Sequence, residues 1–341
     1  MSGSSMSAWS GPRELAAQLP ARGAAVAEKL RWATNLATLA PSTHNTQPWR
    51  FESCESGVEL HADGFRALPH LDPRGRELVI SCGAALFNLR VAIRSLGLRT
   101  VVDLLPGGSE DSHLATLLVV GQQEVTAEEA RLVEAIPRRH TNRRPLDAAG
   151  LSAGLTVELQ DLATDEGAGL YLVSDEGSRR AMARLIDEAE RQQQADVDLR
   201  REVQAWVRRP GEVAADGIFA LAAAPAPPCA YATSFRVRDF GVVPAEEDWR
   251  VDDPLLAVLW TERDTTQDWL RAGQALEHVL LRATADGVDA SFLNQPLEIP
   301  ALRVLVRDEL RLPGFPQLVL RLGGARAGPV SRRRLLDEVL S

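Results

Sequence analysis

Two stretches of this chain line up on each other without a gap: GAALFNLRVAIRSLGL from Gly83 and GQALEHVLLRATADGV from Gly273. Gly83/Gly273, Ala85/Ala275, Leu86/Leu276 and Gly97/Gly287 are identical. The same register sets Pro106 opposite Pro296, while Ile80/Leu270, Leu89/Val279 and Val91/Leu281 keep apolar residues on one helical face. Amphipathic helices ending in glycine resemble one another in any case, because a left-handed glycine commonly terminates a helix. The match in both position and face reads as two copies of one unit.

The coarse patterning repeats with it. A helix over Glu14 to Leu39, a strand over Val58 to Ala62, a helix over Gly83 to Leu96 and a strand over Thr116 to Val120 are expected in the first half. The second half repeats a strand at Leu255 to Trp260, a helix at Trp269 to Ala285 and a strand at Gln317 to Leu322, bounded by Pro316 and Gly323. This alternation predicts an α/β (α+β) fold built as an internally duplicated pseudo-dimer. We place a flexible tail at 1–12, the first half at 13–125 and the second at 126–341. Residues 206–250, with Pro210, Gly211 and the APAPP run at Ala224 to Pro228, oppose regular structure and are read as a lid insertion, or as a surface excursion without a role.

Two donor-rich segments interrupt the packing pattern. In APSTHNTQPWRF (Ala40 to Phe51), Pro41 stops the preceding helix, and a loop follows in which Ser42, Thr43, Asn45 and Gln47 offer donors and acceptors. Such an array suits the edge of a flat heterocycle, and it equally suits an Asx-rich turn. In PRRHTNRRPL (Pro137 to Leu146), Arg138, Arg139, Arg143 and Arg144 crowd around His140 and Thr141. Guanidinium forks match phosphate oxygens, though a solvated basic face would produce the same run. Arg332, Arg333 and Arg334 form a further basic cluster.

These segments resemble the nitroreductase superfamily, and within it a long, internally duplicated branch, over most of the chain. Short members carry an RRSxR-like phosphate segment and an APSxxNxQPW segment that reaches the flavin of the partner subunit; both signatures stand here, but in different halves. The resemblance implies one FMN site made by both halves. Arg139, His140, Thr141 and Arg143 would hold phosphate and ribityl oxygens, with Pro41, Ser42, Thr43, Asn45 and Gln47 approaching from the other half. Asn294 and Gln295, in ASFLNQPLE, would lie near the ring, and Arg332, Arg333 and Arg334 would complete the phosphate site. The second half has GAGLYLVSD where APSxxNxQPW should recur, so the symmetry-related site reads as lost.

Other chemistries find little support. The six histidines form no HExxH or HxH pattern, and no metal is expected. No GxGxxG, GxxxxGK[ST] or GxSxG occurs. A net charge of -9 opposes nucleic-acid binding, and three cysteines without a CxxC pair suit a reduced, cytoplasmic setting. No apolar run near the start suggests a signal or membrane segment. The expected activity is hydride transfer from NAD(P)H through FMN to a nitroaromatic, quinone or similar small conjugated acceptor, with the flavin carrying the chemistry and no catalytic side chain named. The alternatives are a lidded flavin carrier with little reductase activity, or a dedicated biosynthetic flavin oxidase or dehydrogenase. A monomeric pseudo-dimer and a homodimer both fit.

Overall fold

A computed structural model describes residues 12–148, 151–209, 212–219, 235–241, 253–325 and 328–341. The expected tail, apart from Pro12, and much of the expected lid lie outside the described residues.

The first half contains helices α1 (Pro12–Ala16) and α2 (Val26–Ala37), strands β1 (Trp49–Cys54) and β2 (Gly57–Ala62), helix α3 (Arg76–Ser95), and strands β3 (Leu98–Leu104) and β4 (His113–Gln122). The single helix expected over Glu14 to Leu39 is two helices: Pro20 has no amide proton to donate and disfavours helix in its predecessor, so the chain turns before restarting. Next come α4 (Ala127–Ala135), α5 (Ala153–Asp165), β5 (Gly169–Val173), α6 (Glu176–Ala195), α7 (Val197–Ala205), and the short strands β6 (Val207–Arg208) and β7 (Ile218–Phe219). The chain ends with β8 (Leu255–Thr261), α8 (Thr266–Ala285), β9 (Asp289–Phe292), α9 (Pro300–Glu309) and β10 (Phe315–Gly323).

Two antiparallel sheets have the same plan, β1-β2-β4-β3 and β5-β8-β10-β9, which matches β1 with β5, β2 with β8, β3 with β9 and β4 with β10, and leaves α3 and α8 as equivalent helices. The aligned residues meet in space. A Cβ added at Gly83 would lie 2.3 Å from the carbonyl oxygen of Leu270, and one added at Gly273 would lie 2.0 Å from that of Ile80. Because Gly83 aligns with Gly273 and Ile80 with Leu270, the two contacts are one contact seen from either side, as a two-fold relation requires. Gly97 and Gly287, the other aligned glycines, both follow their helices with positive φ, 74° and 76°.

One continuous apolar core crosses both halves around α3 and α8. α3 is long and apolar enough to cross a membrane, but most of it is buried at the centre of this core. A second cluster, from α6, α9, Phe235 and Val237, covers the other face of the second sheet. β8 is accordingly buried on both faces, whereas β2 alternates core residues Val58 and Leu60 with partly exposed Glu59 and His61. The last residues run parallel to β1, with Phe51 N–H donating to Val339 O at 2.7 Å and Ser53 N–H to Ser341 O at 2.9 Å. The C-terminus of the second half thus extends the first half's sheet.

Candidate active site

Between α2 and β1 the chain spends residues 38–48 on a loop, whereas between the equivalent α5 and β5 it has only residues 166–168. The first loop is therefore one that the second half cannot reproduce. It is also strained: His44, Asn45 and Gln47 take positive φ values of 51°, 56° and 52°. Side chains hold it there. Ser42 Oγ accepts from Gln47 N at 2.9 Å, Asn45 Nδ2 donates to Gly217 O at 3.1 Å and Arg332 O at 3.2 Å, and Gln47 Nε2 donates to Ala215 O at 2.9 Å. The backbone N–H of Arg334 donates to Gln47 Oε1 at 2.8 Å.

The loop forms one wall of a cavity between the halves. Seven of the residues singled out from sequence line it: Pro41, Ser42 and Thr43 from the loop, Thr141 and Arg143 from the basic segment, and Asn294 and Gln295 after β9. Thr141 pairs in parallel with Ala290 and the Asn142 N–H donates to Ala290 O at 2.9 Å, which carries the basic segment alongside β9. Ile80 of α3 and Leu276 of α8 supply apolar floor with Phe292 and Leu318.

The other seven stand behind the cavity with different partners. Arg139 is buried, its Nη2 donating to Leu39 O at 3.0 Å and its Nε 3.4 Å from Glu277 Oε1. Arg333 is buried beside it and donates to Ala40 O at 3.1 Å and Leu39 O at 3.3 Å. Both arginines satisfy carbonyls at the end of α2, which the stop at Pro41 leaves open. His140 Nε2 lies 3.8 Å from Asp289 Oδ1. Arg332 packs over the Phe219 ring at 5.8 Å, and Arg334 donates to Glu338 O at 2.7 Å. Asn45 and Gln47 brace the loop, as above.

The cavity has further lining residues that sequence reading passed over: His44, Glu77, Val237, Arg238, Phe240 and Glu298. His44 belongs to the Ala40 to Phe51 loop, where a lone histidine carries no signal of its own. Glu77, in the first turn of α3, and Arg238 gave no motif to find. Arg238 is ion-paired with Glu298, its Nη2 2.6 Å from Oε1, and Gln193 Nε2 donates to Glu298 Oε2 at 2.6 Å. Arg143 stacks over Phe240 at 5.4 Å. This network seats residues 235–241, the described inner part of the expected lid, on α6 and on the Gln295 turn, where Gln295 Nε2 donates to Arg236 O at 3.3 Å.

Burial and neighbouring cations set the charges. Burial, with Arg238 and Arg321 nearby, brings Arg143 down to about 10. Burial, with Arg238 and Arg143, holds His44 well below the usual imidazole range, so the ring is neutral at pH 7. Its buried Nδ1 has no hydrogen-bond partner among the described residues. Burial, reinforced by Glu298, raises Glu77 to about 7, against the opposing pull of Arg76; Thr43 Oγ1 donates to Glu77 Oε2 at 2.8 Å. Two guanidinium groups therefore face one firmly paired carboxylate, Glu298, and one that is partly protonated near neutrality.

No protein-family profile matches the chain. It is 35% identical over 327 residues, 92% of this chain and 91% of the relative, to a "Putative NAD(P)H nitroreductase" of Mycobacterium tuberculosis, Rv3131. It is 30% identical over 321 residues to the "Putative NAD(P)H nitroreductase acg" of the same organism, covering 91% of this chain and 94% of that one. Among solved structures, the FMN and NADPH-dependent nitroreductase NfnB from sphigopyxis sp. strain HMH matches 62% of this chain and 97% of its own, at 18% identity and a TM-score of 0.40.

Proposed function

The chain belongs to the NAD(P)H nitroreductase family, and on that premise we propose that it is an FMN-dependent oxidoreductase, passing hydride from NAD(P)H to a nitroaromatic, quinone or similar small conjugated acceptor. The observation that carries this reading is the cavity between the halves, where three separate sequence segments converge around Arg143.

The residues present fit FMN. Ile80, Leu276, Phe292, Leu318, Val237 and Phe240 offer apolar surface to a planar ring system. Arg143 and Thr141 would hold its phosphate through charge-assisted hydrogen bonds. Ser42, Thr43, Asn294 and Gln295 would meet the heteroatoms along the ring edge, and the orphaned Nδ1 of His44 is a further polar contact. Bound FMN would supply the two-electron redox chemistry. The protein orients the ring on a loop held in a strained, braced conformation, excludes water with residues 235–241, and keeps a proton available on Glu77, linked to the cavity through the Thr43 hydroxyl. We place the reaction in the cytoplasm, in a monomeric pseudo-dimer or a homodimer.

Steady-state oxidation of NADPH and NADH by the FMN-loaded chain, with a nitroaromatic and a quinone as acceptors, tests the reading. Turnover dependent on acceptor and abolished without FMN is expected; absence of turnover with any acceptor contradicts it. One observation favours a second reading, a lidded flavin carrier: Arg238, Val237 and Phe240 already occupy the cavity wall and are tied down through Glu298. In that case the chain would retain FMN yet leave NAD(P)H unoxidised.

A further inference from the structure

The outer face of the first sheet gathers four metal-ligating side chains that the cavity does not use. The strand register sets Glu52 of β1 opposite Glu59 of β2, and His61 of β2 opposite His113 of β4. His61 Nε2 lies 3.3 Å from Glu59 Oε2 and 3.9 Å from Glu52 Oε2; His113 Nε2 lies 3.8 Å from the same Glu59 oxygen. The two imidazole rings stack at 4.5 Å, and one ligand atom from each of Glu59, His61 and His113 lies within 4.8 Å of the others. The side chains of His61, His113 and Glu59 are 12%, 20% and 31% exposed, so an ion can reach them from solvent.

We propose that Glu59, His61 and His113, with Glu52 or water completing the shell, form a site for a borderline divalent cation such as zinc, which clamps β2 to β4, and β1 as well where Glu52 is the fourth ligand. With bonds of about 2.0–2.1 Å to nitrogen and oxygen, donors around a tetrahedral zinc stand about 3.3 Å apart. The carboxylate–imidazole spacings of 3.3, 3.8 and 3.9 Å are close to that value. Charge argues the same way. Glu52 and Glu59 are like charges directly opposite across a strand pair, an arrangement that costs stability unless a cation lies between them. Two carboxylates and two neutral imidazoles would neutralise a divalent ion. Arg50, opposite His61, is exposed, and Thr116 Oγ1, now 2.9 Å from His113 Nε2, exchanges that contact for the metal by rotating about one bond. Imidazole with carboxylate selects zinc-like ions over magnesium or calcium, which prefer all-oxygen shells.

Titration calorimetry with zinc chloride on the full-length, FMN-loaded and chelator-stripped chain tests the site. One saturable equivalent per chain is expected, with affinity reduced at least about 100-fold in His113→Gln and in Glu59→Gln, since even partners outside the ligand shell are worth 10–100-fold. Zinc should raise the melting temperature of the parent and leave both variants unmoved. A copper(II) electron paramagnetic resonance spectrum of the parent, showing coupling to two imidazole nitrogens, checks the ligands without any variant that might fold poorly. No saturable binding, binding that survives both substitutions, or a copper spectrum without nitrogen coupling would each overturn the proposal.

Discussion

At the scale of single residues, the arginines of the two basic segments divide by what they face. Arg143 lines the cavity, whereas Arg139 and Arg333 close the end of α2 and lie against Glu277 and each other. Arg143→Ala should weaken FMN binding by about 1.5–3 kcal/mol, the worth of a hydrogen bond to a charged group. Arg139→Ala should instead lower stability by about 3 kcal/mol in urea unfolding, because Glu277 loses its buried counter-ion. Equal losses of FMN in the two variants would contradict this division. Glu277 also supplies a pH signature. Burial raises it to about 7 from an ordinary 4.5, so the folded chain binds a proton more readily than the unfolded one. Its contribution to stability is present at low pH and is lost as pH rises through about 7. Relative to Glu277→Gln, the parent should therefore gain stability as pH falls from about 8 to about 5, by up to ~3 kcal/mol; parallel pH curves for the two would refute it. Sequence alone does not separate these arginines. Arg139 and Arg143 look alike in the sequence, and only the path of the chain after Pro137 decides which faces the cavity.

At the scale of elements, the aligned helices were the most legible feature, because a glycine pair serving a helix crossing must occur twice when the crossing is built from two copies. Gly273→Ala would push a Cβ into the Ile80 carbonyl at 2.0 Å, a backbone atom that cannot rotate away. A destabilisation of about 1–3 kcal/mol or more is expected by thermal unfolding, typical of overpacking. An unchanged melting temperature would mean that α3 and α8 do not cross there. The loop at 38–48 was legible as a chemical motif, but the role of each side chain was not. Asn45 and Gln47 have the right groups to read a heterocycle and instead hold a backbone with three left-handed residues, a demand no sequence pattern displays. The cluster on β2 and β4 escaped for a related reason: its histidines are distant in sequence and adjacent only through strand pairing.

At the scale of the molecule, duplication followed by divergence explains why two similar halves make one site. Equivalent sheets and central helices are retained, while the long loop survives in the first half alone and the second sheet acquires a covering layer from α6 and α9. A composite cavity follows from exchanged segments, with the C-terminus paired to β1 and the basic segment laid beside β9. One flavin per chain is thus the expected stoichiometry, where a symmetric dimer of short enzymes would hold two. Anaerobic titration of the FMN-reconstituted chain with NADPH, followed at the flavin absorbance bands, measures cofactor content and reduction together. We predict one flavin per chain, bleached fully by one equivalent of NADPH. A chain that retains no flavin, holds two, or keeps its absorbance bands in excess NADPH and NADH would contradict the account.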